Sequence, residues 1–89
     1  MANTNAGKGN SLKGLVEYIA RSLVDQPDQV EVAARNAGSK LQLELKVAKE
    51  DMGRVIGKGG KVANAMRVLL RVAAASEGMQ ANLDVMEPK

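Results

Sequence analysis

The chain has 89 residues, enough for one small domain. It is 45% hydrophobic and 26% charged, as globular proteins are, and it contains no cysteine, histidine, phenylalanine or tryptophan. Those absences exclude disulfides, thiolate or imidazole metal sites and the commonest general base, while a net charge of +3 is too small to name a partner by itself.

Residues 1–10, "MANTNAGKGN", are small and polar and read as a disordered tail without the apolar core of a signal peptide. No apolar run approaches the roughly 18 residues that span a bilayer, so no membrane association and a cytoplasmic location are expected. From Ser11, a candidate helix cap, Leu12, Leu15, Val16, Ile19 and Leu23 follow a helical stripe. Pro27 disfavours helical geometry at Gln26, so this helix should stop near Val24 or Asp25. Val30, Val32 and Ala34 then alternate with Glu31, Ala33 and Arg35 as in a half-buried strand. Residues 36–40, "NAGSK", are turn chemistry, and Leu41, Leu43, Leu45 and Val47 form the clearest strand pattern in the chain.

After "AKED" the period turns helical. Met52, Val55 and Ile56 fit a short helix ended by Gly57, and a second helix begins near Lys61. Its core face is expected at Val62, Ala65, Met66, Leu69, Leu70 and Ala73, with Gly78 as its C-terminal cap. Ala81, Leu83 and Val85 alternate as a last strand. The order is helix, strand, strand, helix, helix, strand. A short turn pairs the first two strands antiparallel, and a helical crossover suits a parallel pairing of the second and third. The expected fold class is α+β, a single domain over residues 11–87 with a three-stranded mixed sheet and three helices on one face.

The chemistry concentrates in "GRVIGKGGKVANAM", residues 53–66. From Met52 to Ser76 there is no acidic residue, while Arg54, Lys58, Lys61, Arg67 and Arg71 are basic. The preceding stretch from Glu17 to Asp51 carries seven acids against five bases. The spacing fails a P-loop, because Lys58 stands where the second glycine belongs. It also fails a dinucleotide fingerprint, which wants glycine or alanine at Val62 and a strand beforehand. A membrane GxxxG at Gly53 and Gly57 lacks an apolar span. With no catalytic constellation and no cofactor motif, a non-enzyme is expected. What remains is helix, Gly57-Lys58-Gly59-Gly60, helix. Glycine admits unusual dihedrals and close approach of a ligand backbone, the helix beginning near Lys61 directs its unpaired N–H groups into the same space, and lysines add charge. A single-stranded RNA or DNA backbone is the partner these features serve best.

"VIGKGG" at residues 55–60 resembles the Ile-Gly-x-x-Gly signature of KH domains, and the element order is similar to their type II arrangement. "LVEYIARSLVDQPDQVEV" and "EDMGRVIGKGGKVANAMR" more closely resemble small bacterial KH-domain RNA-binding proteins of the KhpA family, over about Leu12 to Val85. One departure is Ala63, where many KH members carry a bulky aliphatic residue; Val62 fills the neighbouring position. The resemblance implies a groove for about four nucleotides of single-stranded RNA, bounded by the glycine loop and its helices on one side and by residues 80–85 on the other. The turn at 36–40 is expected to close one end. It also implies an RNA chaperone acting in cell elongation and shape, as a homodimer or as a heterodimer with a larger multidomain KH protein (KhpB-like).

The residues expected at RNA are Arg54, Ile56, Gly57, Lys58, Gly59, Gly60 and Lys61. Arg67 and Arg71 are read as extending the basic field without fixed contacts. Tyr18 is the sole aromatic side chain, so stacking contributes little and one groove should bind weakly. Val68 and Val72 lie outside the core stripe, with Leu69 between, and similar proteins dimerise through this helix; these three are the expected dimer interface. Two alternatives compete. A protein-interaction scaffold would act through dimerisation with a partner, and a helix-turn-helix would bind DNA, although that motif wants a polar recognition helix and Lys61–Ser76 is mostly apolar.

Overall fold

The structure, a computed structural model, describes residues 10–86. Helix α1 (Asn10–Leu23) is followed by strands β1 (Glu31–Ala37) and β2 (Lys40–Lys46), helices α2 (Met52–Ile56) and α3 (Lys61–Ser76), and strand β3 (Gln80–Met86). Short 3₁₀ turns occupy Pro27–Gln29, Lys49–Asp51 and Lys58–Gly60. The expected tail lies outside the described residues except for Asn10, which α1 includes. Ser11 is therefore not the helix cap; its hydroxyl donates to Glu77 Oε2 at 2.7 Å, tying the start of α1 to the end of α3.

The sheet order is β1-β2-β3. β1 and β2 pair antiparallel across a two-residue turn, Gly38-Ser39, where Gly38 takes a positive φ of 62°. β2 and β3 pair parallel in register Leu41↔Ala81, Leu43↔Leu83, Leu45↔Val85. The period-2 pattern of β2 buries Leu41, Leu43 and Leu45, on which Leu12, Val16 and Ala20 of α1, Val55 of α2 and Met66 and Leu70 of α3 close the core. The other face of the sheet is polar. β1 departs from the expected alternation, since Ala34 is exposed and Val32 alone of that strand is buried.

α1 ends at Leu23, as Pro27 requires, and the N–H groups released there are caught by a side chain. Asp51, 1% exposed, accepts from Asp25 N–H and Gln26 N–H, each at 3.1 Å, one on each carboxylate oxygen. The carboxylate thus joins the end of α1 to the start of α2. α3 ends in a Schellman motif as expected: Met79 N–H donates to Ala74 O and Gly78 N–H to Ala75 O, with Gly78 at φ 70°.

The core face of α3 differs from expectation. Ala63, Met66, Leu70 and Ala74 are buried, Val62 and Ala73 are half-buried, and Ala65 and Leu69 are exposed. Apolar side chains surround most of this helix, so periodicity left its orientation poorly defined. The small Ala63 and Ala74 let the helix approach its neighbours closely, and they fix the buried stripe. Ala63, expected as a departure from the KH pattern, is thus a packing residue. Among the described residues no helix is long and apolar enough to cross a membrane.

Candidate functional site

The loop at 57–60 is a 3₁₀ turn between α2 and α3, closed by Gly60 N–H donating to Gly57 O at 3.1 Å. Gly57 sits at φ 78°, ψ 169°, a region open essentially to glycine alone. A Cβ there would lie 2.4 Å from Val62 Cγ2 and 2.8 Å from Val62 N, so the loop folds directly onto the first turn of α3. Gly59 and Gly60 are left-handed, at φ 66° and 78°. Three glycines in four leave the loop backbone bare of β-carbons except at Lys58.

α3 begins without a side-chain cap and without an acid in its first turn. Its first N–H, at Lys61, donates to Lys58 O across the 3₁₀ turn, while its positive dipole end meets no acidic side chain of its own first turn. Lys58 and Lys61 are exposed, and among the described residues neither makes an ion pair. Ile56 is half-buried at the loop's entrance. Arg54 is engaged elsewhere. Its guanidinium meets Asp25 Oδ2 at 3.1 Å and Asp51 Oδ1 at 3.8 Å, so it reinforces the α1–α2 junction and does not stand free beside the loop.

Further along α3, from Arg67 to Met79, a groove follows the edge of β3. One cavity of about 310 Å³ lies between Arg67 and Arg71 of α3 and Ala81 to Asp84 of β3. A second, of about 380 Å³, adjoins it at Arg71 and ends at Ala75 and Met79. β3 is an edge strand. Gln80 N–H donates to Ser39 O on the β2 side, so alternation turns the backbone groups of Ala81, Leu83 and Val85 outward into this groove. The turn at 36–40 reaches the far end of the groove through that Gln80 bond, with the α3–β3 connection beside it.

Arg67 is held within the protein, a role the sequence reading did not assign to it. Its Nε donates to Leu83 O at 2.9 Å and its Nη1 to Asn64 Oδ1 at 3.0 Å, so it makes fixed contacts that pin α3 to the edge of β3. Sequence reasoning missed it because an arginine facing an open strand edge has no local signature. Arg71, one turn on, is exposed and among the described residues makes no ion pair, so it supplies the mobile charge of the groove. Tyr18 is 73% exposed on α1, away from the groove. Among the described residues no cluster of acidic side chains has the composition to hold a metal ion.

Comparison with known proteins accounts for this arrangement. The KhpA/KhpB KH-domain family matches residues 13–85, which run from the first turn of α1 into the last residues of β3. The chain belongs to the KhpA/KhpB family of KH domains. Relatives are similar over nine-tenths or more of their own length. The protein named RNA-binding protein KhpA in Clostridium acetobutylicum is 45% identical over 75 residues, 84% of this chain and 100% of its own. Its namesake in Halalkalibacterium halodurans is 43% identical over 76 residues, 85% of this chain and 100% of its own. That of Treponema pallidum is 43% identical over 74 residues, 82% of this chain and 91% of its own. In the KH frame, the loop at 57–60 is the Gly-x-x-Gly segment, and the observed order of elements, with the parallel β2–β3 pairing, is that of a single type II KH domain.

Proposed function

We propose that this KH domain binds single-stranded RNA without catalysing a reaction, holding the RNA backbone at Gly57, Lys58, Gly59, Gly60 and Lys61. The observation that carries this reading is the loop itself. Its glycines are held in conformations that expose bare backbone at the start of α3, which has no side-chain cap, with two lysines alongside that make no ion pair among the described residues and no acid from Met52 to Ser76. That combination suits a phosphodiester chain and little else. Ile56 stands half-buried next to the loop, Arg71 attracts the chain along α3, and the edge of β3 offers to bases the hydrogen-bonding groups that Arg67 does not take. Arg54 enters as a support for α2 more than as a phosphate ligand. The relatives' shared description as RNA-binding proteins agrees with RNA over DNA.

A domain without aromatic side chains in its groove grips weakly. Weak, loosely specific binding by paired grooves fits an RNA chaperone of the cell interior, and the exposed Val68, Leu69 and Val72 supply a surface for pairing, with a second copy or with a larger KH protein. The same surface favours a scaffold as the second reading. Fluorescence anisotropy with labelled single-stranded RNA, and with duplex RNA as the comparison, separates the two. Saturable binding that prefers the single strand supports the RNA reading, and no binding by the folded wild-type chain leaves the scaffold.

A further inference from the structure

The sheet has two edges, and only β3 borders the groove. β1 forms the other edge, and among the described residues no strand pairs with its outer side. Open edges are usually blunted by proline, lysine, a bulge or a charge on the inward face. Glu31–Ala37 has none of these. It pairs with β2 in an unbroken register, and its helix-facing side carries only Val32, Ala34 and Asn36. Ala34 is exposed although it lies on that side, so the helices leave this part of the strand uncovered.

The backbone groups at this edge have a definite direction. Of the two turn residues only Gly38 has a positive φ, which marks a type II′ hairpin closed by hydrogen bonding between Ala37 and Lys40. Alternation then commits the backbone of Ala33, Arg35 and Ala37 to β2 and turns the N–H and C=O groups of Val32, Ala34 and Asn36 outward. A second copy of the same edge, brought up antiparallel about a two-fold axis, can use them. Charge selects the register. With the axis at Ala33, Glu31 of each copy stands directly opposite Arg35 of the other. Both lie on the open face of the sheet, at a non-hydrogen-bonded position where side chains approach closest. Axes at Val32, Ala34 or Arg35 set neither charge against its opposite. Arg35 is available for this contact, since its present approach to Glu44 is 4.0 Å long and its side chain is 76% exposed.

We propose that the open edge of β1 is a self-association surface, where two copies of this chain join their sheets antiparallel with Ala33 against Ala33. The exposed Ala34 of each copy then gains Val32 of the other as its neighbour. The contact lies apart from the apolar stripe of α3, and it leaves both grooves free because β3 is the opposite edge of each sheet. It does not depend on RNA binding. About four backbone hydrogen bonds and a reciprocal set of exposed ion pairs fall short of a stable dimer. The contact is therefore transient in dilute solution and forms where copies are already concentrated.

Disulfide trapping tests it cleanly, because the chain has no cysteine of its own. In this register the two Ala33 Cα atoms lie about 4.5 Å apart, within disulfide reach, and the two Ala37 Cα atoms about 27 Å apart. Both alanines are exposed, so neither Ala33→Cys nor Ala37→Cys disturbs the core. Under mild oxidation at equal concentration, Ala33→Cys is expected to form a linked dimer on non-reducing gels at least about tenfold faster than Ala37→Cys. Glu31→Arg added to Ala33→Cys sets arginine against arginine and should remove that advantage; Arg35→Glu added to both should restore it. Val72→Lys should leave it unchanged. Equal rates for the two cysteine variants overturn the inference, since collision alone would then explain the product. Failure of the double charge reversal to restore the rate overturns it through the register. Loss of the advantage with Val72→Lys overturns it as well, by making the contact a by-product of pairing through α3.

Discussion

Gly57 and its neighbours divide the loop into a part that builds it and a part that is free to act. Gly57→Ala places a methyl group against Val62 Cγ2 and forces a conformation that side chains avoid, so it should cost at least about 2 kcal/mol, read by urea unfolding. Lys58→Asp with Gly59→Asp should behave differently. Lys58 is exposed, no heavy atom stands near a Cβ on Gly59, and aspartate tolerates the left-handed region better than most residues. This double variant should keep the wild-type circular dichroism spectrum and lose RNA binding, because two carboxylates replace an attractive charge with repulsion. Unchanged affinity in the folded protein refutes the loop as the contact. The glycines and lysines were legible in the sequence because their conformational and charge signals are local. Asp51 was not: in "AKED" nothing tells which carboxylate turns inward, since its partners, Asp25 and Gln26, lie 26 and 25 positions away. Asp51→Ala orphans two backbone N–H groups and should destabilise the domain by roughly 2–4 kcal/mol. A loss below about 0.5 kcal/mol in urea unfolding would mean that water serves those groups as well.

Among the elements, α3 does most to join fold and groove, and it is also where sequence and structure disagree most. β2 was legible because polar and apolar residues alternate without exception from Lys40 to Lys46, and the turn at 36–40 with the crossover then fixed the sheet. α3 offers apolar side chains on nearly every side, so a stripe through Leu69 fits the sequence about as well as the observed one through Leu70. Packing decides between them. Leu70 is 1% exposed and Leu69 53%. Leu70→Ala should therefore cost about 2–5 kcal/mol through lost burial and a cavity. Leu69→Ala, in dilute solution where assembly does not contribute, should stay within about 0.5 kcal/mol. Reversed magnitudes in chemical unfolding would return the core face to the stripe through Leu69. The groove wall has the same dependence on long-range placement, because Arg67 finds Leu83 O only once β3 has docked as the edge strand.

For the whole molecule, charge and exposed apolar surface make separate predictions. RNA affinity should fall as salt rises, with a log–log slope of about −0.7 for each phosphate neutralised. With Lys58, Lys61 and Arg71 as the open cations of the site, only a few phosphates are engaged, and a flat response in anisotropy titrations would favour the scaffold. The proposed pairing would use the other side of α3. Val68, Leu69 and Val72 are 53%, 53% and 66% exposed, and with the exposed Ala65 they recur at helical spacing as a second apolar stripe beside the buried one. One sheet of three strands is too narrow to cover both stripes. A helix that meets its symmetry mate along this stripe buries it and sets two RNA grooves on one particle, which raises the affinity of a weak single site through local concentration. Val72→Lys puts a charge in the middle of that contact and leaves the core untouched. The expected product is a folded monomer by sedimentation, with RNA affinity reduced relative to the wild type. A wild-type chain that sediments as a monomer at high micromolar concentration rules out the homodimer. A heterodimer with a larger KH protein survives that result and has its own check: co-purification of the partner should be lost with Val72→Lys, and retained co-purification would place the partner on another surface.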